Sequence, residues 1–250
     1  MTTVSRAHSF NAAAADYAAH RPPYPPALLD ALEEAAGRPL AGARVLDVGA
    51  GTGIATGLLA GRGARAVGVE PGAGMAAQLH RQRPELPVVR GDGNALPFAD
   101  GTADLITYAQ SWHWTEPERA GAEVLRVLRP GGTLALWWNV SDETVPWVAD
   151  QAERITRHIG PQAGAHGAHE RYTHAAGLEL VHRAVRWSRR VSLDHHLANL
   201  ASHSYFLVLG EERTHAFLAT ERAALLDVFP DGEVPEAYYV DLLTARTPTA

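Results

Sequence analysis

The chain has 250 residues, 46% of them hydrophobic and 20% charged, as expected for a globular protein that buries a substantial core. With 28 acidic and 22 basic residues the formal net charge is −6, and the lack of a basic block argues against phosphate-directed nucleic-acid binding. Cysteine is absent and every basic residue is arginine, which excludes disulfides, thiolate nucleophiles, cysteine-ligated metals and lysine Schiff bases.

Residues 1–43 mix polar and apolar residues in a helical pattern that the proline-rich residues 21–26 interrupt, because proline cannot continue a helix. A helix is predicted from Pro25 or Pro26 to about Ala36, ending at Gly37. Neither a signal-like apolar run at the N-terminus nor a stretch of 18 apolar residues occurs. The sequence therefore predicts a cytoplasmic protein without a membrane partner.

From residue 44 onward, short apolar strands alternate with helical segments. Strands are predicted at residues 44–48, 64–70, 88–90, 103–110 and 133–138. Helices are predicted at residues 54–59, 74–83 and 116–128. This alternation predicts an α/β fold with a parallel sheet and helices on both faces.

After residue 139 the pattern is weaker, and residues 160–177 form a connector rich in His, Gly and Ala. Helices are predicted at residues 144–159, 193–207 and 211–228, and strands at residues 178–191 and 238–245. No segment resembles a linker between domains, so residues 1–250 are predicted to form a single domain.

The first strand ends in a glycine-rich loop that carries Gly49, Gly51 and Gly53 and precedes a helix. Glycines at this point allow a tight turn and a close approach of the backbone to a ligand. Ile54 stands where the dinucleotide fingerprint has its last glycine, and Glu70 closes the second strand, where a carboxylate can accept ribose hydroxyls. The alternative is a glycine turn that only joins a buried strand to a helix.

Residues 45–53 (VLDVGAGTG) resemble the first motif of class I S-adenosylmethionine-dependent methyltransferases. Further segments resemble later motifs of that family in the same order: residues 69–71 (VEP), 91–98 (GDGNALPF), 104–106 (DLI) and 125–132 (LRVLRPGG). Flanking residues resemble relatives of trans-aconitate methyltransferase: Phe10, Tyr17, Arg21, Tyr24, Pro25 and residues 109–114 (AQSWHW).

The resemblance implies a Rossmann-like sheet of seven strands in the order 3-2-1-4-5-7-6, with the last strand antiparallel. It divides the single domain into an N-terminal helical cap (1–43), a cofactor-binding core (44–140) and an acceptor side of helices and C-terminal strands (141–250).

The resemblance also implies S-adenosyl-L-methionine as the cofactor, with a nicotinamide cofactor as the second choice. The candidate cofactor-binding residues are Tyr17, Arg21, Asp47, Gly49, Ala50, Gly51, Gly53, Glu70, Pro71, Asp92, Gly93 and Gln110. For Asp92 the alternative is a solvated turn aspartate, and for Asp47 a carboxylate that caps backbone groups. For Arg21 the alternative is a surface arginine, and for Tyr17 it is core packing.

His113 is the candidate catalytic residue, because a neutral imidazole can take a proton from an acceptor hydroxyl or amine. The alternative is a structural histidine held between Trp112 and Trp114. No metal site is predicted, because the histidines of the His-rich segment are irregularly spaced and lack a carboxylate pattern. These histidines are His158, His166, His169 and His174.

The predicted function is methylation of a small, hydrophobic or aromatic metabolite on oxygen, nitrogen or carbon, by a monomer or homodimer. Trp112, Trp114, Trp137 and Trp138 stand near the carboxyl ends of the fourth and fifth strands, where such sheets bind ligands. For these tryptophans the alternative is packing of the cap on the sheet. A methyltransferase of macromolecules and a protein that holds the cofactor without catalysis are the alternative functions.

Overall fold

The computed structural model describes residues 22–160, residue 172 and residues 174–249. The strands of the main sheet are β1 (Arg44–Val48), β2 (Arg65–Glu70), β3 (Val88–Arg90), β4 (Ala103–Ala109), β5 (Leu128–Ser141), β6 (Val181–Ser192) and β7 (Glu233–Arg246). The helices are α1 (Pro26–Ala36), α2 (Ile54–Gly61), α3 (Ala73–Gln82), α4 (Pro117–Val127), α5 (Pro146–Ile159), α6 (Leu193–Ala201), α7 (Ser204–Leu209) and α8 (Glu211–Val228).

The seven strands have the order β3-β2-β1-β4-β5-β7-β6, which is the order that the family resemblance implies. The pairings among β1 to β5 are parallel, and β7 is antiparallel to both β5 and β6. The fold prediction is therefore confirmed. Because β7 reverses between them, β5 and β6 run in the same direction and end at the same edge of the sheet.

Two predicted elements are divided in the structure. The predicted strand at residues 178–191 becomes β6 and a separate short hairpin, in which His174–Ala175 pairs with Leu178–Glu179 around Ala176 and Gly177, both at positive φ. The predicted helix at residues 193–207 becomes α6 and α7, because the chain leaves the helix at Ser202 and His203. The strand predicted at 238–245 is longer, since β7 begins at Glu233.

The sheet is covered on both faces, as its nearly continuous apolar strands require. One face packs against Leu28, Leu32 and Leu59 of α1 and α2. The other face packs against Val124 and Val127 of α4. Among the described residues no helix is both long and apolar enough to be a membrane span.

Strands β5, β6 and β7 have 12 to 14 residues and extend beyond the carboxyl ends of the shorter strands. The register shows this, because β4 pairs with β5 only as far as Trp137 whereas β5 continues to Ser141 beside β7. Helices α5 to α8 follow these projecting ends and pack on one another through Leu197, Phe217 and Leu225. We call α5–α8 with the projecting ends of β6 and β7 the C-terminal lid.

Candidate active site

The glycine loop between β1 and α2 turns sharply toward β2. Gly49, Gly51 and Gly53 all have positive φ, which is costly for residues with a side chain. The Gly49 and Ala50 N–H groups donate to the Val69 carbonyl at 2.8 and 3.1 Å, so the backbone fixes the loop to the end of β2. The loop is therefore shaped by glycine conformations and backbone bonds.

Side chains pack closely against Gly49 and Gly53, whereas the space beside Gly51 is open. A Cβ at Gly49 would lie 2.4 Å from the Ser111 Cβ, and one at Gly53 would lie 2.8 Å from Leu79. A Cβ at Gly51 would meet nothing within 4 Å. Beside it, the buried Thr52 hydroxyl has no hydrogen-bond partner among the described residues. The loop thus leaves room for a ligand against the backbone of Gly51.

Glu70 lies at the end of β2, directly beside this loop. Its carboxylate accepts from the Gly51 N–H at 2.9 Å and from the Gly72 N–H at 2.7 Å. Burial raises the pKa of Glu70, and the two backbone N–H groups oppose that shift. Pro71, the next residue, is exposed, and its carbonyl accepts from Arg90.

Asp47 is fully buried in β1 beneath the loop. It accepts from the Thr56 hydroxyl at 2.6 Å and the Thr107 hydroxyl at 2.9 Å, which ties β1 to α2 and β4. Burial raises the pKa of Asp47, and these hydroxyls oppose the shift. The contacts favour the structural alternative for this residue, and sequence reasoning missed both threonines.

Asp92 and Gly93 follow β3. Asp92 is exposed, and its Oδ1 accepts from the Asn94 backbone N–H at 2.9 Å, as in a turn. Gly93 is buried beside the carboxyl ends of β1 and β4, because a Cβ there would lie 3.2 Å from Val48 and 3.4 Å from Tyr108. The structure thus brings this loop to the same sheet edge as the glycine loop.

Gln110 ends β4 in an unusual backbone conformation, with φ of 55°. Its N–H donates to the Trp137 carbonyl at 2.8 Å, and the next residue, Ser111, donates its hydroxyl to the Val48 carbonyl at 2.5 Å. Such left-handed non-glycine residues are held by their surroundings and cluster at functional sites. Gln110 therefore stands at the sheet edge that the glycine loop also occupies.

The charge balance among the described residues of this site is negative, because three carboxylates stand against Arg90, which attracts Glu70 from the neighbouring strand β3. Within the described residues, Asp47, Glu70 and Asp92 form no ion pair, and the hydrogen bonds that they accept come from uncharged donors. A buried carboxylate without a cationic partner is unfavourable unless a ligand supplies positive charge. The arrangement suits a ligand that is cationic near these carboxylates.

His113 lies in a 3₁₀ turn (Trp112–Trp114) after β4 and is exposed. Its Nδ1 accepts from the Trp138 indole N–H at 3.3 Å, and its ring centroid is 4.5 Å from that of Trp114. Tyr172 stacks on Trp138 at 5.6 Å. Because Nδ1 accepts a hydrogen bond, the neutral ring carries its proton on Nε2.

The four tryptophans fall into two pairs. Trp112 and Trp137 are buried in the core. The ring of Trp112 meets that of Tyr108 edge-on at 4.8 Å, and the ring of Trp137 meets that of Tyr24 edge-on at 5.8 Å. These contacts favour the alternative that both tryptophans serve packing. Trp114 and Trp138 are partly exposed and flank His113. Sequence reasoning could not separate the pairs, because each pair has one member in the turn after β4 and one in β5.

A second group of polar and aromatic residues lies between the sheet and the lid and was not predicted. The Asn139 side chain accepts from the Trp187 indole at 3.2 Å and donates to the Pro23 carbonyl at 3.2 Å. Trp187 stacks on Tyr238 at 5.2 Å, and the Tyr238 hydroxyl accepts from Asn199 at 3.2 Å. These contacts join β5, β6, β7 and α6.

Several predicted residues lie outside the described part of the chain. These are Phe10, Tyr17, Arg21, His166 and His169. In the ranges that the structure does describe, no three His, Asp or Glu side chains are grouped as metal ligands would be.

Comparison with known proteins finds methyltransferases. Residues 46–136 match the family model for a methyltransferase domain. An uncharacterized methyltransferase of Mycobacterium tuberculosis (strain ATCC 25618 / H37Rv) is 38% identical over 198 residues, which cover 79% of this chain and 77% of the relative. A demethylmenaquinone methyltransferase of Beutenbergia cavernae is 42% identical over 127 residues, 50% of each chain.

Among solved structures, a proposed type II methyltransferase from Anaeromyxobacter dehalogenans superposes with a TM-score of 0.75. The two chains are 24% identical, and the superposition covers 92% of this chain and 99% of the other. This likeness shows the fold.

Proposed function

The chain belongs to the family of class I S-adenosylmethionine-dependent methyltransferases, and we propose that it transfers a methyl group from S-adenosylmethionine to a small hydrophobic or aromatic acceptor. The closer relation to trans-aconitate methyltransferase stays a prediction. The observation that carries the proposal is the open space at Gly51, bounded by carboxylates that form no ion pair with a described residue.

S-adenosylmethionine fits that space chemically. Its sulfonium and ammonium outnumber its one carboxylate, so it brings net positive charge to the negative site, and its two ribose hydroxyls can donate to a carboxylate. We assign Glu70 to the ribose, Asp92 and Gly93 to the adenine, and Gln110 to the methionine part. Gly49, Ala50, Gly51, Gly53, Asp47 and Pro71 shape the pocket, and Tyr17 and Arg21 remain proposed contacts.

The bound cofactor supplies an electrophilic methyl group on a sulfonium. What this chain's residues contribute is position, since holding the acceptor at attack distance and excluding water accounts for a large part of such catalysis. Trp114, Trp138 and Tyr172 offer partly exposed aromatic faces beside His113, which suits an apolar or aromatic acceptor. The name of the Beutenbergia relative, a demethylmenaquinone methyltransferase, also gives a small molecule as acceptor for that protein.

His113 is the proposed group for the acceptor's proton. The Trp138 hydrogen bond restricts it, because the neutral ring then presents an N–H at Nε2. To act as a base at Nε2, the imidazole has to move its proton to Nδ1 and release the Trp138 indole.

The cofactor assignment is tested by isothermal titration with S-adenosylhomocysteine, the demethylated product. We expect saturable binding, and Glu70→Ala should weaken it about fivefold or more because the hydroxyl acceptor is lost. Glu118→Ala, at an exposed position on α4, is the matched control and should bind as the wild type. Absence of binding at millimolar product would overturn the assignment, and a nicotinamide cofactor would be titrated next.

The acceptor class is tested by a radiolabelled methyl-transfer screen across metabolites, peptides and RNA. Transfer to a small apolar metabolite supports the proposal. Transfer only to peptide or RNA would make the protein a macromolecule methyltransferase, and cofactor binding without transfer would leave the cofactor in a non-catalytic role.

A further inference from the structure

Three arginines converge on one buried carboxylate at the amino edge of the sheet, opposite to the glycine loop. Asp104, in β4, accepts from Arg38 Nη1 at 2.7 Å, from Arg44 Nε at 3.3 Å and from Arg129 Nε. The Arg44 backbone N–H adds a fourth bond at 2.7 Å. We call Arg38, Arg44 and Arg129 the amino-edge arginine cluster.

The cluster carries more positive charge than Asp104 balances. Three guanidinium groups face one carboxylate, which leaves an excess of two charges in a chain whose net charge is −6. The three side chains keep 35%, 50% and 37% of their surface exposed, whereas Asp104 keeps 8%. Cations are therefore accessible to solvent and the balancing anion is not.

Most N–H donors of the cluster are still unused. Each of its guanidinium groups contacts Asp104 through a single nitrogen, and no other acceptor among the described residues bonds to them. A guanidinium has five N–H donors, arranged to bind two oxygens at once. The cluster can thus bond a second oxyanion without releasing Asp104.

Neighbouring residues add positive charge. Arg65 is the register partner of Arg44 on β2, and the Arg246 guanidinium lies beside Gly37, since a Cβ there would be 3.0 Å from Arg246 Nη1. Neither arginine forms an ion pair with a described residue.

The acids of α1 are already paired. Asp30 and Glu33 both bond to Arg62, at 2.5 and 2.7 Å, and Glu34 bonds to Arg183 at 2.5 Å. Because each of these acids is bonded to an arginine outside the cluster, none of them bonds to the cluster.

Asp104 stays ionised throughout the neutral range. Burial acts to raise the pKa of Asp104, but the Arg44 N–H and the three guanidiniums outweigh it and lower the pKa to about 2. Because β1 has five residues, the cluster lies about 16 Å from the glycine loop at the other end of that strand.

We propose that the amino-edge arginine cluster is a binding site for a phosphate group, separate from the methyl-transfer site. Charge selects this class of ligand, because a phosphomonoester carries about −1.5 to −2 at neutral pH and so matches the excess of two. A monocarboxylate would leave part of the excess unbalanced. Planar guanidiniums also match the oxygens of a phosphate bidentately.

The test is isothermal titration at low ionic strength, without cofactor, using inorganic phosphate and, separately, glycerol 3-phosphate. We expect saturable binding at one site, with sodium chloride at equal ionic strength producing none. Equal affinity for the two probes means that the phosphate group alone is recognised, and tighter binding of the ester means that an organic moiety contributes. If neither probe binds, or chloride reproduces the signal, the proposal is wrong.

Variants locate the site. Arg129→Gln should weaken phosphate binding about tenfold, because a charge-assisted donor pair is lost. Arg119→Gln, an exposed arginine paired with Glu116 on α4, is the control and should leave binding unchanged.

Arg129→Gln also removes an ion pair with Asp104 and can therefore lower the melting temperature. In that case Arg246→Gln is the variant to measure, because Arg246 forms no ion pair with a described residue and its replacement breaks none. It should weaken binding about threefold at an unchanged melting temperature, through long-range attraction alone. Wild-type phosphate affinity in both Arg129→Gln and Arg246→Gln would overturn the assignment. Because cofactor is absent, the result does not depend on the proposed methyl transfer.

Discussion

The buried carboxylates around the glycine loop and those in the C-terminal lid are partnered in opposite ways. Asp47 and Glu70 accept only from hydroxyls and backbone N–H groups, and burial raises the pKa of both. In the lid, burial acts to raise the pKa of Glu236, but His196 and Arg189 outweigh it and lower the pKa. The lid balances its own charge, whereas the loop region has a negative balance that a cationic ligand can complete.

The lid reaches this balance through a chain of hydrogen bonds across four elements. Arg154 of α5 bonds both oxygens of Glu221 of α8, each at 2.7 Å. Gln151 bridges Glu221 to His196 of α6 at 2.9 Å on each side. His196 continues to Glu236 of β7 at 2.8 Å. The network fixes the lid helices to the projecting strand.

The largest expected effect is on the free energy of unfolding of Glu221→Ala, because this substitution removes a charge that balances the network. Glu221 is 1% exposed, so its removal leaves the Arg154 guanidinium and the Gln151 amide without their acceptor. We expect a loss of about 3–5 kcal/mol in the free energy of unfolding, measured by urea denaturation. Glu153→Ala is the control, because Glu153 and Arg157 form an exposed pair at 3.6 Å, and it should cost less than about 0.5 kcal/mol. Equal losses would show that the lid does not depend on internal pairing.

The next effect separates packing from ligand binding within the loop. Gly49→Ala meets both a positive φ and the Ser111 side chain, and we expect it to destabilise the fold by about 3 kcal/mol. Gly51→Ala has the same backbone strain but open space, so it should cost only about 1–2 kcal/mol.

Product binding supplies the second readout for the glycines. In Gly51→Ala the methyl group enters the proposed cofactor space, so the affinity for S-adenosylhomocysteine should fall about tenfold in the folded variant. Wild-type affinity in Gly51→Ala would move the cofactor away from this glycine.

How much the sequence could predict differs between the same two regions. The glycine loop and Glu70 were predictable, because positive φ, a strand end and a carboxylate at fixed spacing are local properties. The sheet order and the antiparallel last strand came from the family resemblance, since alternation alone indicates only the parallel part. The partners of Asp47 were not predictable, because Thr107 lies 60 residues away in the chain.

The helices of the lid were predicted, but the hydrogen-bond network that joins them could not be predicted from its residues. Gln151, His196, Glu221 and Glu236 stand on four different elements, and each looks like an ordinary surface residue in its own helix or strand pattern. The division of the predicted helix at Ser202 is likewise set by packing, because α7 turns to place Phe206 against Phe217 at 5.2 Å. Long-range contacts decided both features.

A third effect concerns His113, the proposed proton-transfer residue. His113→Ala should lower kcat by about a hundredfold, which is about 2.7 kcal/mol, with product affinity unchanged. His80→Ala, at an exposed position on α3, is the matched control. Trp138→Phe removes the indole N–H that keeps the His113 proton on Nε2. If His113 acts as a base, losing this hydrogen bond should slow turnover by no more than about threefold. Wild-type turnover in His113→Ala would leave positioning as the source of catalysis.

The smallest effect is in the pH dependence of stability, which tests directly whether the pKa of Glu70 is raised and that of Glu236 is lowered. Glu236 has a lowered pKa in the folded state, so its contribution is present above the unfolded value of about 4.3 and is lost as the pH falls through the folded value. Glu70 has a raised pKa, so folding favours its protonated form, and stability is lost as the pH rises from about 4.3 through the folded value. The measurement is urea denaturation of the wild type, Glu236→Gln and Glu70→Gln from about pH 3 to 7. On acidification, the stability of the wild type relative to Glu236→Gln should fall, and its stability relative to Glu70→Gln should rise. Parallel curves would mean that the two regions handle buried charge alike, which would remove the electrostatic argument for a cationic ligand at the glycine loop.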